Sequence, residues 1–141
     1  MNVERHKTGI RYSVVDGVAR IVLDSPERRN ALGFQMLREI ARLVRCAEGN
    51  ARCLVLSACG PVFSAGADFA DLTGTSADTE FDAAVARAGA TLRSTHLPVV
   101  AAVQGPCLGA AVDLISSADI VIAAESAVIG DAHANFGVFP G

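Results

Sequence analysis

Charge is scarce in this sequence. Of its 141 residues only 19% are Asp, Glu, Lys or Arg, while 51% are apolar. An average globular protein carries about 25% charged residues. The mean hydropathy of +0.38 is high for a soluble monomer of this size. Such a composition fits an oligomer, a piece of a larger fold or a membrane protein. Long apolar runs are missing as well. The oiliest region, residues 97–129, is interrupted by Gln104, Pro106, Asp113, Asp119 and Glu125. No run of about 20 apolar residues survives, which excludes a spanning helix. Residues 1–11 carry charges but no apolar stretch, so no signal peptide is read there, and a cytoplasmic location is the expectation.

Other absences narrow the function. The formal net charge is −3, so nothing argues for a nucleic-acid partner. The four cysteines (Cys46, Cys53, Cys59 and Cys107) form no CxxC pair and have no histidine at zinc spacing, so buried reduced thiols are expected. There is no GxxxxGK[ST] loop and no HExxH. Gly105 and Gly109 do not complete a dinucleotide fingerprint. Ser64 stands two residues before Gly66 like half of a nucleophile elbow, but Val62 fills the first glycine position. A serine hydrolase is therefore disfavoured.

What is present reads as one α/β domain over residues 1–141, long enough to bury about two-thirds of its unfolded surface. Tyr12-Ser13-Val14-Val15 and Val18-Ala19-Arg20-Ile21-Val22-Leu23 flank Asp16-Gly17, a hairpin signal. A polar loop follows Pro26. Over residues 33–47, Met36, Leu37, Ile40, Leu43 and Val44 recur at helical spacing. Cys53-Leu54-Val55-Leu56 reads as a buried strand, and residues 58–71 as a small-residue loop anchored by Phe63. Residues 77–95 place Phe81, Ala84, Val85, Ala88 and Leu92 on one helical face. Val99-Val100-Ala101-Ala102-Val103 and Ile120-Val121-Ile122-Ala123 are strands, with residues 127–129 a candidate for one more. Strands alternating with helices argue for largely parallel pairing.

One stretch organises the rest. Residues 103–113 run from the end of a buried strand through a turn of small residues into the first turn of a helix, predicted to continue to about Ser117, that carries Asp113. A helix N-terminus offers free backbone N–H groups to negative charge. Asp113 is then either a satisfied core residue or an acid–base group.

Three separated motifs resemble the enoyl-CoA hydratase/isomerase family, the crotonase superfamily. Ser25-Pro26-Glu27-Arg28-Arg29-Asn30-Ala31-Leu32 resembles its P-x-x-x-N-A-L loop. Phe63-Ser64-Ala65-Gly66-Ala67-Asp68 resembles its F-[SA]-A-G-A-D loop. Val103 to Asp113, followed by Ala118-Asp119-Ile120, resembles its V-x-G-x-x-x-G-G-G-x-[ED]-L…D-I segment. The resemblance implies a crotonase-like spiral of β-β-α units. It also implies acyl-CoA thioesters as substrates and an enolate held by two backbone N–H groups, those of Ala67 and Ala110. Asp113 matches one acid–base position. His133 falls at the second, where hydratases carry Glu, and is either an acid–base partner or an ordinary loop histidine.

Arg28, Ala31, Ala65, Asp68 and Phe69 sit where the family cradles CoA and the thioester; for Arg28 and Arg29 a solvated basic loop is the alternative. Gly109-Ala110-Ala111 replaces a triple glycine, and two added methyl groups are expected to narrow the approach. No metal or redox cofactor is implied, CoA being part of the substrate, and a homo-oligomer (trimer or hexamer) is expected. Family members continue past the position of Gly141 into helices that close the acyl pocket. The expectation is therefore an N-terminal part of the fold, lacking the C-terminal helical region. Two functions stand: an enoyl-CoA hydratase or isomerase, or a catalytically impaired fragment that binds acyl-CoA or only packs in an oligomer.

Overall fold

A computed structural model describes residues 4–72 and 77–131. Strands β1 (Glu4–His6), β2 (Ile10–Val15) and β3 (Val18–Leu23) form an antiparallel meander. Asp16 and Gly17 turn β2 into β3 with φ of 53° and 78°, the backbone a two-residue hairpin turn requires. From β3 onward the pairing is parallel. β4 (Cys53–Ala58), β5 (Val99–Val103) and β7 (Ile120–Ala123) extend one six-stranded sheet in the order β1-β2-β3-β4-β5-β7. The intervening β6 (Cys107–Leu108) pairs with β8 (Ile129–Gly130) in a second, two-stranded sheet.

Among the described residues three α-helices cross between the parallel strands. In α1 (Phe34–Ala47) the predicted stripe of Met36, Leu37, Ile40, Leu43 and Val44 is buried throughout. In α2 (Ala77–Ser94) Phe81, Ala84, Val85, Ala88 and Leu92 are buried, as their spacing requires. The small residues of α2 let it pack closely on α1, and the Phe34 and Phe81 rings meet edge to face with centroids 5.7 Å apart. Each fully buried large apolar side chain contributes about 1.5–3 kcal/mol relative to exposure. The third helix, α3 (Ala110–Ile115), is only six residues long and ends before the predicted Ser117.

Each turn of the chain adds a long strand to the main sheet and then a short extended segment to a second layer, and the turns that begin at β3, β4 and β5 go on into a helix. After β3 the short segment is Leu32, which bridges Ala67 in parallel. After β4 it runs from Ser64 to Ala67, and Ser64 bridges Cys107. After β5 it is β6, and after β7 it is β8. This is the spiral of β-β-α units expected from the resemblance. The second layer carries Ala67 and leads into Ala110, two of the candidate site residues.

Several boundaries and environments differ from expectation. β1 and β6 lack the alternation that marks a strand, and their sequences do not announce them. The strand expected near residues 127–129 is confined to Ile129–Gly130, and the Val128 carbonyl accepts the Cys107 N–H at the start of the short ladder. β4 and β5 bury one face only: Leu54 and Leu56, and Val99, Ala101 and Val103, are buried, while the residues between them are half-buried. Of the cysteines only Cys107 is buried; Cys53 and Cys59 are half-buried and Cys46 is exposed on α1, and all four are free thiols. β7 is exposed along its length, with Ile122 61% accessible. No helix among the described residues is long and apolar enough to cross a membrane.

Candidate active site

The early loop is fixed by one buried amide. A 3-10 turn (Pro26–Arg28) leads into Arg29 and Asn30, both left-handed at φ 52° and 51°. Asn tolerates that region better than most residues. Asn30 is fully buried. Its Oδ1 accepts the Ser25 N–H at 2.8 Å, and its Nδ2 donates to the carbonyls of Cys59 at 2.8 Å and Val62 at 2.9 Å. The side chain thus closes its own loop and ties it to the loop after β4. Sequence reading placed Asn30 in a motif without assigning it this role.

Backbone ladders then align three segments. The Leu32 N–H donates to the Gly66 carbonyl at 2.7 Å, and the Asp68 N–H to the Leu32 carbonyl at 2.8 Å. The Ala65 N–H donates to the Arg29 carbonyl at 3.0 Å. On the other side, the N–H groups of Phe63 and Ser64 donate to the Pro106 carbonyl, and the Leu108 N–H to the Ser64 carbonyl at 3.1 Å. Phe63 is fully buried beneath this junction. Ser64 is buried too, and its hydroxyl oxygen accepts the Gly66 N–H at 3.2 Å, which makes it a turn-former here.

The two predicted oxyanion donors emerge from this ladder. Gly66 and Asp68 bond to Leu32 on either side of Ala67, so the Ala67 N–H faces away from Leu32, toward the third segment. Ala110 opens α3, where its N–H has no intrahelical acceptor. Among the described residues neither N–H has a hydrogen-bond acceptor. The two backbones approach closely across Gly66. Its φ is 92°, and a Cβ there would lie 2.8 Å from the Leu108 carbonyl oxygen and 3.7 Å from the Ala110 nitrogen. Gly109, with φ 52° and ψ −129°, makes the sharp entry into α3 that a side chain would oppose.

The alanines of α3 answer one expectation differently. Ala110 and Ala111 are 4% and 0% exposed and belong to the apolar core, so their methyl groups pack inward beside Leu114 and Ile115. Cys107, also in this core, has its thiol pushed up to about 12 by burial.

Asp113 is not a core residue: it is exposed. It lies three residues after Ala110, and positions three apart share a helical face. Its carbonyl accepts the Ser117 hydroxyl at 2.9 Å, and Ser117 Oγ in turn accepts from Arg93 at 2.6 Å. The motif residue Asp119 acts structurally, since its Oδ2 accepts the Val99 N–H at 2.7 Å and registers β7 on β5. His133 lies outside the described residues.

The predicted substrate-binding residues divide into two groups. Arg28, Ala31 and Asp68 line an open cleft of about 970 Å³ beside the start of α1. Arg28 and Asp68 form an ion pair with each other, which reduces the charge that Arg28 offers to a phosphate. Ala65 and Phe69 are exposed outside that cleft, Phe69 at 63%. Asp71, missed in the sequence, also lines the cleft and bonds to α1. The signal was there: Gly33, immediately before the helix, has no side chain with which to cap it. Among the described residues no group of three or more His, Cys, Asp or Glu is arranged to hold a metal ion.

Comparison with known proteins identifies the family and the fold. A family model for enoyl-CoA hydratase/isomerase matches residues 14–141. A Rhodobacter capsulatus protein named "Probable enoyl-CoA hydratase" is 38% identical over 133 residues, covering 93% of this chain and 52% of its own. The mitochondrial enoyl-CoA hydratase domain-containing protein 3 of Rattus norvegicus is 34% identical, with 88% of this chain and 43% of its own covered. Among solved structures, human enoyl Coenzyme A hydratase domain-containing protein 3 superposes with a TM-score of 0.89 at 28% identity, covering 94% of this chain and 55% of that one. An enoyl-CoA hydratase subunit from Geobacillus kaustophilus gives a TM-score of 0.84 at 32% identity, covering 94% and 52%. The chain spans about half the length of the relatives it matches.

Proposed function

The chain belongs to the enoyl-CoA hydratase/isomerase family, and on that premise we propose that it acts on an acyl-CoA thioester by stabilising an enolate. The observation that supports the reading is that the N–H groups of Ala67 and Ala110 each lack an acceptor among the described residues, on segments that approach closely at Gly66. The thioester oxygen accepts from both. As a proton leaves the substrate Cα, negative charge gathers on that oxygen, and fixed donors are worth most there; each lowers the barrier by about 3–4 kcal/mol. The N-terminus of α3 adds the positive end of its dipole.

Asp113 is the acid–base group in this reading. In isomerisation its carboxylate takes the proton from Cα and returns it to Cγ as the double bond moves, so a single base suffices. In hydration water adds to Cβ and a proton to Cα, and His133 shares the transfer with Asp113. Arg28, Ala31, Ala65, Asp68 and Phe69 make the substrate contacts. CoA belongs to the substrate, the reaction takes no metal or redox group, and the protein works as a homo-oligomer.

The test is an enoyl-CoA assay with crotonyl-CoA and a 3-enoyl-CoA. Asp113→Asn should lower kcat by about 10²–10⁴-fold, the range of general acid–base catalysis. An unchanged rate removes Asp113 from the mechanism. Calorimetric binding without turnover would support the alternative, a chain that holds acyl-CoA without transforming it. No binding at millimolar acyl-CoA would sink both.

A further inference from the structure

Helix α1 has no cap of its own. Gly33 occupies the N-cap position with φ −101° and ψ 166°, and it brings no side chain. The acceptor comes from 37 residues further along: Asp71 Oδ2 accepts the Phe34 N–H at 2.8 Å. The exchange is steric as well as polar. A Cβ on Gly33 would lie 2.6 Å from that same oxygen, so the missing side chain is what admits the carboxylate. The helix dipole favours the negative charge there.

The capping residue ends the segment that carries a proposed oxyanion donor. Asp71 donates its N–H to the Asp68 carbonyl at 2.9 Å, and Asp68 donates to Leu32 at 2.8 Å. Residues 66–71 are therefore fastened to residues 32–34 twice, by the Leu32 ladder and by the Asp71 carboxylate. Ala67 sits between the Gly66 and Asp68 rungs of that ladder.

We infer that Asp71 is a positioning residue: by seating its carboxylate on the start of α1 it holds the 66–71 segment in register and so aims the Ala67 N–H. The inference rests on the proposed oxyanion role of Ala67. The rival account makes Asp71 a helix cap and nothing more. The two separate because Gly33 already has the backbone conformation of a capped N-terminus. A serine placed there can cap α1 locally once the carboxylate is gone.

Three variants decide it. Asp71→Ala should lower Tm by about 4 °C through the lost cap. It should also speed exchange of the Asp68 amide at least tenfold and lower kcat on an enoyl-CoA by about 10- to 100-fold, with KM within about twofold. The double variant Gly33→Ser, Asp71→Ala should regain Tm but neither kcat nor Asp68 protection. Asp71→Asn keeps an acceptor for the Phe34 N–H and should stay within about threefold of the parent kcat. Recovery of kcat and amide protection together with Tm in the double variant would reduce Asp71 to a cap. A loss in Asp71→Asn equal to that in Asp71→Ala would also overturn the tether. If the parent chain turns over no enoyl-CoA, the proposed function fails by itself. The Asp68 exchange rates in the three variants then decide the role of Asp71.

Discussion

Replacing Asn30 by Ala removes one acceptor and two donors at a single buried point. The Asn30 side chain is inaccessible, whereas its partners on Ser25, Cys59 and Val62 belong to half-buried residues. Water reaches part of that surface, so each orphaned group falls at the low end of about 1–3 kcal/mol. Three groups give about 3 kcal/mol. The backbone adds to this: at φ 51° an alanine is strained by about 1 kcal/mol or more. The expected loss is about 4 kcal/mol, a large part of the stability of a domain, typically about 5–15 kcal/mol. For a chain of this length it corresponds to a fall in Tm of about 13 °C. Urea denaturation followed by far-ultraviolet circular dichroism measures it. Asn30→Asp should be worse than Asn30→Ala, because it keeps the acceptor for Ser25 but turns an oxygen toward the Cys59 and Val62 carbonyls. Asn30→Gly should be milder than Asn30→Ala by about 0.5–1 kcal/mol, since it relieves the backbone. A loss under about 1 kcal/mol in Asn30→Ala, or an aspartate variant as stable as the alanine one, would refute this account of the loop.

Three other expectations follow from the same structure. Gly66→Ala should push the Leu108 carbonyl away and separate the two donor segments, cutting enoyl-CoA turnover by about 10²–10³-fold; a rate within about threefold of the parent would show that the donors do not depend on this contact. Glu39 has its carboxyl held below the ordinary 4.5 by the hydrogen bond from Arg42, with the Arg42 and His6 charges adding to it. A depressed folded value stabilises above the unfolded one and is lost as pH falls through it. The stability gap between the parent and Glu39→Gln should therefore shrink from pH 4.5 downward in acid titrations of the urea midpoint. Finally, iodoacetamide at neutral pH should label exposed Cys46 in the native protein and Cys107 only after denaturation, as read by peptide mass spectrometry; early labelling of Cys107 would mean that the second layer opens in the native state.

The main sheet and the helices were legible because they repeat. The hairpin announces itself through Asp16-Gly17, and α1 and α2 through apolar residues every three or four positions. The second layer was not legible, because a one- or two-residue strand has no period. Leu32, Ser64 and Cys107 pair as extended backbone inside stretches whose glycine and proline content reads as loop. Long-range capping was hidden for another reason. Asp71 and Phe34 are distant in sequence, and only the bare Gly33 hinted that a cap had to come from elsewhere. The resemblance to a family located Ala67 and Ala110, but it gave no account of what holds them in place.

That division has a chemical consequence. The proposed donors are main-chain groups, so the side chains at 67 and 110 are free to vary as long as they stay small. This explains how Ala110 and Ala111 stand where glycines are usual: their methyl groups are absorbed by the core, and the N–H is unchanged. The sensitive positions are instead those that set backbone direction, namely Asn30 by its three hydrogen bonds, Gly66 by its close approach, and Asp71 by its seat on α1. Asp113 is the exception, because its proposed role needs a carboxylate. Substitutions at the first set should change geometry and stability together, and substitutions at Asp113 should change rate far more than stability. A scan that measures both quantities on each variant would sort the site into these two classes, and an Asp113→Asn variant that kept the parent rate would contradict the acid–base role.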